Sequence, residues 1–191
     1  MQQYNKTRIL VECAVMIAVS TVLSTLTLFQ MPQGGSVTPA TIVPLILISH
    51  RHGLRWGLFT GFTHGLLQTM LGMKNVMAAG SLGTMILCAL LDYVLAYTLV
   101  GAACLFEKPF PGNKRLGIAL GSVAVGLGRY ACSFLSGILI WGAYAPPELP
   151  VWIYSLQYNG SYMIPELIIT TLVAVALIPV LDRQSPAART A

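Results

Sequence analysis

Apolar residues fall along the chain in long blocks separated by short polar or Pro/Gly-rich breaks, and within a block every face is apolar. LIITTLVAVALIPVL, toward the C-terminal end, is typical. Strands of a membrane barrel would alternate polar and apolar positions, so this pattern predicts helices. A helix apolar all round belongs in a core or a bilayer, and about 20 residues cross the hydrocarbon. Six blocks meet or approach that length: residues 8–29, 39–50, 57–73, 80–105, 116–142 and 152–181. The second is short and either half-spans the membrane or leans on His50 and Arg51 at the interface. The expected fold class is all-α: an integral membrane bundle of six transmembrane helices, one domain over residues 1–191.

The polar positions inside the blocks carry the next level of information. In WIYSLQYNGSYMIPELIITT, residues 152–171, four-residue spacing stacks Tyr154, Tyr158, Tyr162 and Glu166 in one stripe with Asn159 beside it. A carboxylate among aliphatic residues costs several kcal/mol unless a partner or ligand meets it, which makes Glu166 a candidate site residue. Pro165 removes a backbone donor and pushes off the carbonyl of Ser161. In the fifth block Arg129, Ser133, Gly137 and Trp141 run up one face, drifting about 40° per step. Gly137 either admits a close helix or leaves room for a flat ligand. Asp92 and Tyr93 are adjacent in the fourth block, so one points more squarely into the bundle than the other, though both can line one pocket.

Three charges at one depth, Asp92, Arg129 and Glu166, suggest a single site. Two carboxylates and one guanidinium would suit a cation, unless Arg129 simply pairs with one acid to hold helices together. Thr60, His64 and Gln68 form either an interhelical hydrogen-bond seam or part of a ligand site. Glu12 lies within a turn of the boundary and is expected to snorkel.

Composition agrees with the membrane reading. The chain has 191 residues, 55% hydrophobic and only 9% charged, with a mean hydropathy of +0.73. Of the 11 Lys and Arg residues, nine fall in the two termini and the loops after the second and fourth blocks. Positively charged loops stay in the cytoplasm, so both termini are expected there. The net charge of +5 then reports topology, and a nucleic-acid partner is not expected. Membrane lipid is the surrounding medium, and the cell membrane the expected location. Cys13, Cys88, Cys104 and Cys132 all lie in apolar runs without metal or redox spacing and are expected to pack. The apolar run after Arg8 is too long for a signal peptide and lacks a small-residue cleavage site.

No catalytic pattern competes. GxSxG, HExxH and the phosphate-cradling GxxxxGK[ST] loop are missing, so no enzyme, metal site or cofactor is expected, and the chain cannot hydrolyse ATP itself. A hydrolase would have to be built from Ser133 and His64 without a supporting motif. In the first block, Ala14 and Ala18 make a small-xxx-small pair that lets another helix approach, which suggests a partner subunit.

Five segments carry a resemblance: MPQGGSVTPATIVPLIL at 31–47, GLFTGFTHGLLQ at 57–68, LLDYVLAYTLVGAACLF at 90–106, SGILIWGAYAP at 136–146 and YSLQYNGSYMIPELIIT at 154–170. Together they resemble the thiamine-specific substrate-binding (S) components of energy-coupling factor transporters, over nearly the whole chain. The resemblance implies a six-helix bundle that binds thiamine from outside in an occluded pocket. It also implies a transmembrane coupling subunit and two ATPases as partners, with ATP-driven tilting of the binding subunit. By position, the pocket carboxylate falls on Asp92, its neighbouring ring on Tyr93, the stacking ring on Trp141, and the hydrogen-bonding pair on Tyr154 and Asn159. Ala14 and Ala18 fall on the motif that meets the coupling subunit. With Ser133, Gly137, Tyr162 and Glu166, which the stripes contribute, these complete the candidate site. The chain departs from the family where Ser133 replaces a His and Pro39 an acidic residue. Remaining alternatives are a thiamine precursor or other small vitamin as ligand, an unaided carrier, and a scaffold whose polar stripes only join helices.

Overall fold

The shortest block forms the best-buried helix of the bundle. A computed structural model describes residues 2–32, 34–107, 109–110 and 112–178. In it, α1 (Gln2–Thr25) leads through an antiparallel hairpin, β1 (Phe29–Gln30) and β2 (Ser36–Val37), into α2 (Val43–His52). Six of the ten α2 residues are buried: Val43, Pro44, Leu45, Ile46, Ile48 and Ser49. At 1.5 Å per residue α2 is about 15 Å long, half the hydrocarbon thickness, and its apolar residues meet neighbouring helices. α3 (Leu54–Leu71) starts directly after Gly53, whose φ of 83° turns the chain between the two helices.

A short α4 (Met73–Ala78), which the hydropathy pattern left inside a loop, precedes the fourth block. That block is one rod from Leu82 to Val100, built from α5 (Leu82–Cys88), a π-helical stretch (Ala89–Leu95) and α6 (Ala96–Val100). A capping box between Ser81 and Thr84 fixes its start. α7 (Lys114–Leu139), capped by Asn113, and α8 (Val151–Ala176) complete the bundle. Helix ends therefore differ from the expected edges by a few residues, and most of all in the first block, where α1 begins six residues earlier and ends four residues sooner than expected. Residues 39–42 form a turn around Pro39 and Ala40, whose φ is 60°, and residues 103–106 form a 3-10 turn. The last residues of the sixth block, Lys108, and the basic residues of the C-terminal end lie outside the described residues.

Among the described residues, four helices are long and apolar enough to cross a membrane: α1 from Lys6, the Leu82–Val100 rod, α7 and α8. Their outer faces carry exposed Leu, Val and Ile side chains, as a lipid-facing surface requires. Small residues let α3 pack tightly: a side chain at Gly57 would strike the backbone of Gly101, and one at Gly61 or Gly65 that of Tyr97 or Tyr93. Glu12 does not snorkel. It is ion-paired to Arg51 and within hydrogen-bond distance of His52 Nε2, at 3.1 Å, because the end of α2 is delivered beside α1. His50 Nδ1 meets Glu107 Oε2 at 2.8 Å on the other side of α2.

Candidate functional site

A cavity of 530 Å³ opens among α3, the Leu82–Val100 rod, α7 and α8, with the hairpin along one side. Nine residues expected from the sequence lie on its wall: Asp92, Tyr93, Ser133, Gly137, Trp141, Tyr154, Asn159, Tyr162 and Glu166. Ala14 and Ala18 lie elsewhere, exposed on the outer face of α1.

Local structure explains why two adjacent residues, Asp92 and Tyr93, both reach the cavity. They sit in the π-helical stretch, where hydrogen bonds reach one residue further than in an α-helix and each turn holds more residues. Successive side chains are then separated by a smaller rotation. Asp92 Oδ2 accepts from Ser136 Oγ at 2.6 Å and from Cys88 Sγ at 3.4 Å. Among the described residues no cation forms an ion pair with it. Cys88 is thus more than the packing residue expected from the sequence: it lies on the cavity wall and touches the acid.

The second carboxylate is held quite differently. Glu166 is 3% exposed; its Oε2 meets Arg129 at 2.9 Å and its Oε1 accepts from Thr38 at 2.7 Å. The Arg129 guanidinium also lies over the Tyr97 ring, 4.9 Å from its centre. The three charges therefore do not act as one cluster. Arg129 and Glu166 cancel, and the Asp92 charge remains for the cavity. A scaffold would have matched Arg129 to both acids and closed the space; here the space is open and walled by Trp141, Tyr154 and Asn159.

Aromatic rings and amides line the rest. Tyr154, Tyr158 and Tyr162 follow one another along α8 with ring centres 5.6 and 6.3 Å apart. Tyr162 donates to Asn159 Oδ1 at 2.8 Å, and Asn159 Nδ2 donates to the Ser133 and Ser155 carbonyls. Gly137 serves close packing, since a side chain there would run into Ser155 Oγ, and it also leaves open wall. The hairpin is tied down by Tyr158, which donates to the Gly34 carbonyl at 2.9 Å. Gly35, with φ of 87°, lies flat on the Tyr162 ring, where a Cβ would come within 2.7 Å.

His64 and Gln68 belong to a seam with one end in the cavity. His64 is fully buried, 3.2 Å from Ser20 Oγ, while Gln68 bridges His64 and Ser24 and reaches the wall. Thr60 turns back to its own helix at the Trp56 carbonyl. The sequence reading missed Thr38, Thr41, Tyr97 and Cys88 on the wall and Ser136 behind it. Tyr97 and Cys88 stand four residues either side of Tyr93 and Asp92 respectively, so the helical period held a signal for them. Thr38 and Thr41 lie outside regular structure and had none.

The thiamine transporter protein (Thia_YuaJ) family matches residues 10–185. The chain is 38% identical to the thiamine transporter ThiT of Bacillus subtilis (strain 168) over 174 residues, covering 86% of each chain. It is 30% identical to ThiT of Lacticaseibacillus paracasei over 192 residues, covering 94% of this chain and 91% of that one. The solved structure of ThiT from Listeria monocytogenes superposes with a TM-score of 0.76 at 23% identity, over 94% of this chain and 97% of that one, and shows the same fold.

Proposed function

Because the chain belongs to the thiamine transporter protein family, we propose that it binds thiamine in the cavity and serves as the substrate-binding subunit of an ATP-driven vitamin importer. It is a multi-pass protein of the cell membrane and not an enzyme. The reading is carried by one observation: Asp92, an acid that no cation pairs with among the described residues, shares a wall with Tyr93, Trp141 and Tyr154. Thiamine has a permanent thiazolium charge and a flat aminopyrimidine. A dry carboxylate complements the charge, stacked rings the faces, and an amide such as Asn159 the heteroatoms. The volume is in the range of small-molecule sites.

In this reading six helices occupy the membrane, with α2 and α3 completing the four longer spans, and both termini face the cytoplasm. The hairpin then faces outward, so the vitamin enters from outside. Ala14 and Ala18 form the approach surface for a transmembrane coupling subunit, to which two ATPases supply the energy this chain cannot.

Titrating the purified chain in detergent with thiamine while following tryptophan fluorescence tests the ligand, with saturable quenching through Trp141 expected. Unchanged fluorescence together with an unshifted melting temperature overturns it. Coupling is tested in proteoliposomes: thiamine uptake by this chain alone, without ATPase or ATP, would replace the subunit reading with an unaided carrier.

A further inference from the structure

Ser136 does not line the cavity, yet it is joined to two of the groups that do. It is fully buried in the last turn of α7. Its hydroxyl donates to Asp92 Oδ2 at 2.6 Å. Its carbonyl accepts from the backbone N–H of Ile140 at 2.8 Å and of Trp141 at 3.4 Å. α7 ends at Leu139, just before these two residues, and the chain turns away through Gly142–Tyr144. One residue therefore grips the acid with its side chain and the ring-bearing end of its own helix with its main chain.

We infer that Ser136 is a positioning residue for cation binding, fixing the Asp92 carboxylate relative to the Trp141 ring. The reasoning rests on geometry. Asp92 belongs to the Leu82–Val100 rod and Trp141 lies just past the end of α7, and the Trp141 side chain itself hydrogen-bonds the carboxylate. The Ser136 hydroxyl is a second tie between rod and α7, holding the acid at the angle the ring meets. Cys88 adds a weaker donor from the rod itself, 3.4 Å from the same oxygen. Both donors use Oδ2, and the Trp141 side chain is a further hydrogen-bond partner of the same carboxylate. A hydroxyl with one short bond to the acid holds it in one rotamer, and the ligand need not spend affinity on ordering it.

This inference depends on thiamine being the ligand, and a double-mutant cycle separates the two. Thiamine affinity is measured by tryptophan quenching for the full chain, Ser136→Ala, Asp92→Asn and the double variant. Ser136→Ala should weaken binding about tenfold or more, as loss of a hydrogen bond to a buried charge does. In the Asp92→Asn background the same change should cost less than about twofold, since the group Ser136 acts through is gone. A packing role predicts equal losses in both backgrounds, and that result, or binding by Ser136→Ala within twofold of the unmodified chain, overturns the inference. If Ser136→Ala does not fold, Cys88→Ala carries the same cycle: a loss of about threefold that vanishes with Asp92→Asn supports a held carboxylate, and an equal loss in both backgrounds overturns it. Should the unmodified chain not bind thiamine, the ligand reading fails and this inference with it.

Discussion

Asp92 and Glu166 are two carboxylates on the wall of one cavity, and their surroundings give them opposite tasks. Glu166 has a guanidinium on one oxygen and a threonine hydroxyl on the other. Asp92 accepts from a hydroxyl and a thiol on one oxygen and is hydrogen-bonded by the Trp141 side chain, with no ion pair to a cation among the described residues. A buried charge must be compensated, by the protein or by what the protein binds. Glu166 is compensated by the fold and holds α7 to α8 and to the segment before α2. Asp92 is compensated only in part, which leaves a negative site for a cation. The difference between them is made by partners and not by residue type.

Removing the fold's cation should produce the largest effect. Arg129→Met leaves Glu166 buried with no counter-charge and should destabilise the ligand-free protein by about 3–5 kcal/mol, seen as a steep fall in melting temperature in detergent. Arg129→Met with Glu166→Leu should recover most of the loss, because an apolar pair of similar volume replaces the ion pair. A single variant that melts like the unmodified chain would mean that the pair does not hold the helices. Asp92→Asn is the contrasting case. It should leave the ligand-free melting temperature nearly unchanged but weaken thiamine binding by about 1.5–3 kcal/mol, as expected for a hydrogen-bonded charge in a dry site. An unchanged affinity would make Asp92 a structural residue like Glu166.

How much of this contrast the sequence shows depends on the range of the interactions. The stripe of Tyr154, Tyr158, Tyr162 and Glu166 is legible because the helical period is local, and all four residues line the cavity. The membrane class is legible from the blocks, and α1, the fourth rod, α7 and α8 lie on four of them. The acid that Arg129 chooses is not legible. That depends on how three helices are rotated against each other, and Asp92 stands on a π-helical stretch that no pattern of apolar residues announces. Glu12 misleads for a similar reason, since Arg51 and His52 reach it only because Gly53 ends α2 beside α1. Burial of α2 is hidden too: VPLILI reads the same whether it faces lipid or neighbouring helices. Ser136 is the hardest of all, because a serine in an apolar helix ordinarily bonds its own backbone, as Ser122 does at Ile118.

The smallest expected effect tests how Glu166 divides itself between its two partners. Thr38 Oγ1 donates to Glu166 and accepts from Thr41 Oγ1, each at 2.7 Å, and Ser20 Oγ donates to the Thr41 carbonyl at 2.6 Å. Thr38→Val keeps the shape but removes the hydroxyl, so Glu166 loses one donor while its ion pair remains. The cost should be about 1 kcal/mol, well below that of Arg129→Met. Its location should be specific. Thr38 directly follows β2, so hydrogen exchange should speed up at the hairpin amides, Leu28 bonded to Val37 and Met31 bonded to Gly35, while exchange in α7 stays as it was. A looser hairpin should also release thiamine faster without altering the charge the ligand meets. If Thr38→Val instead costs as much stability as Arg129→Met, the hydroxyl and not the guanidinium compensates Glu166. Arg129 would then be the free charge of the cavity, and the contrast between the two acids would have to be redrawn around it.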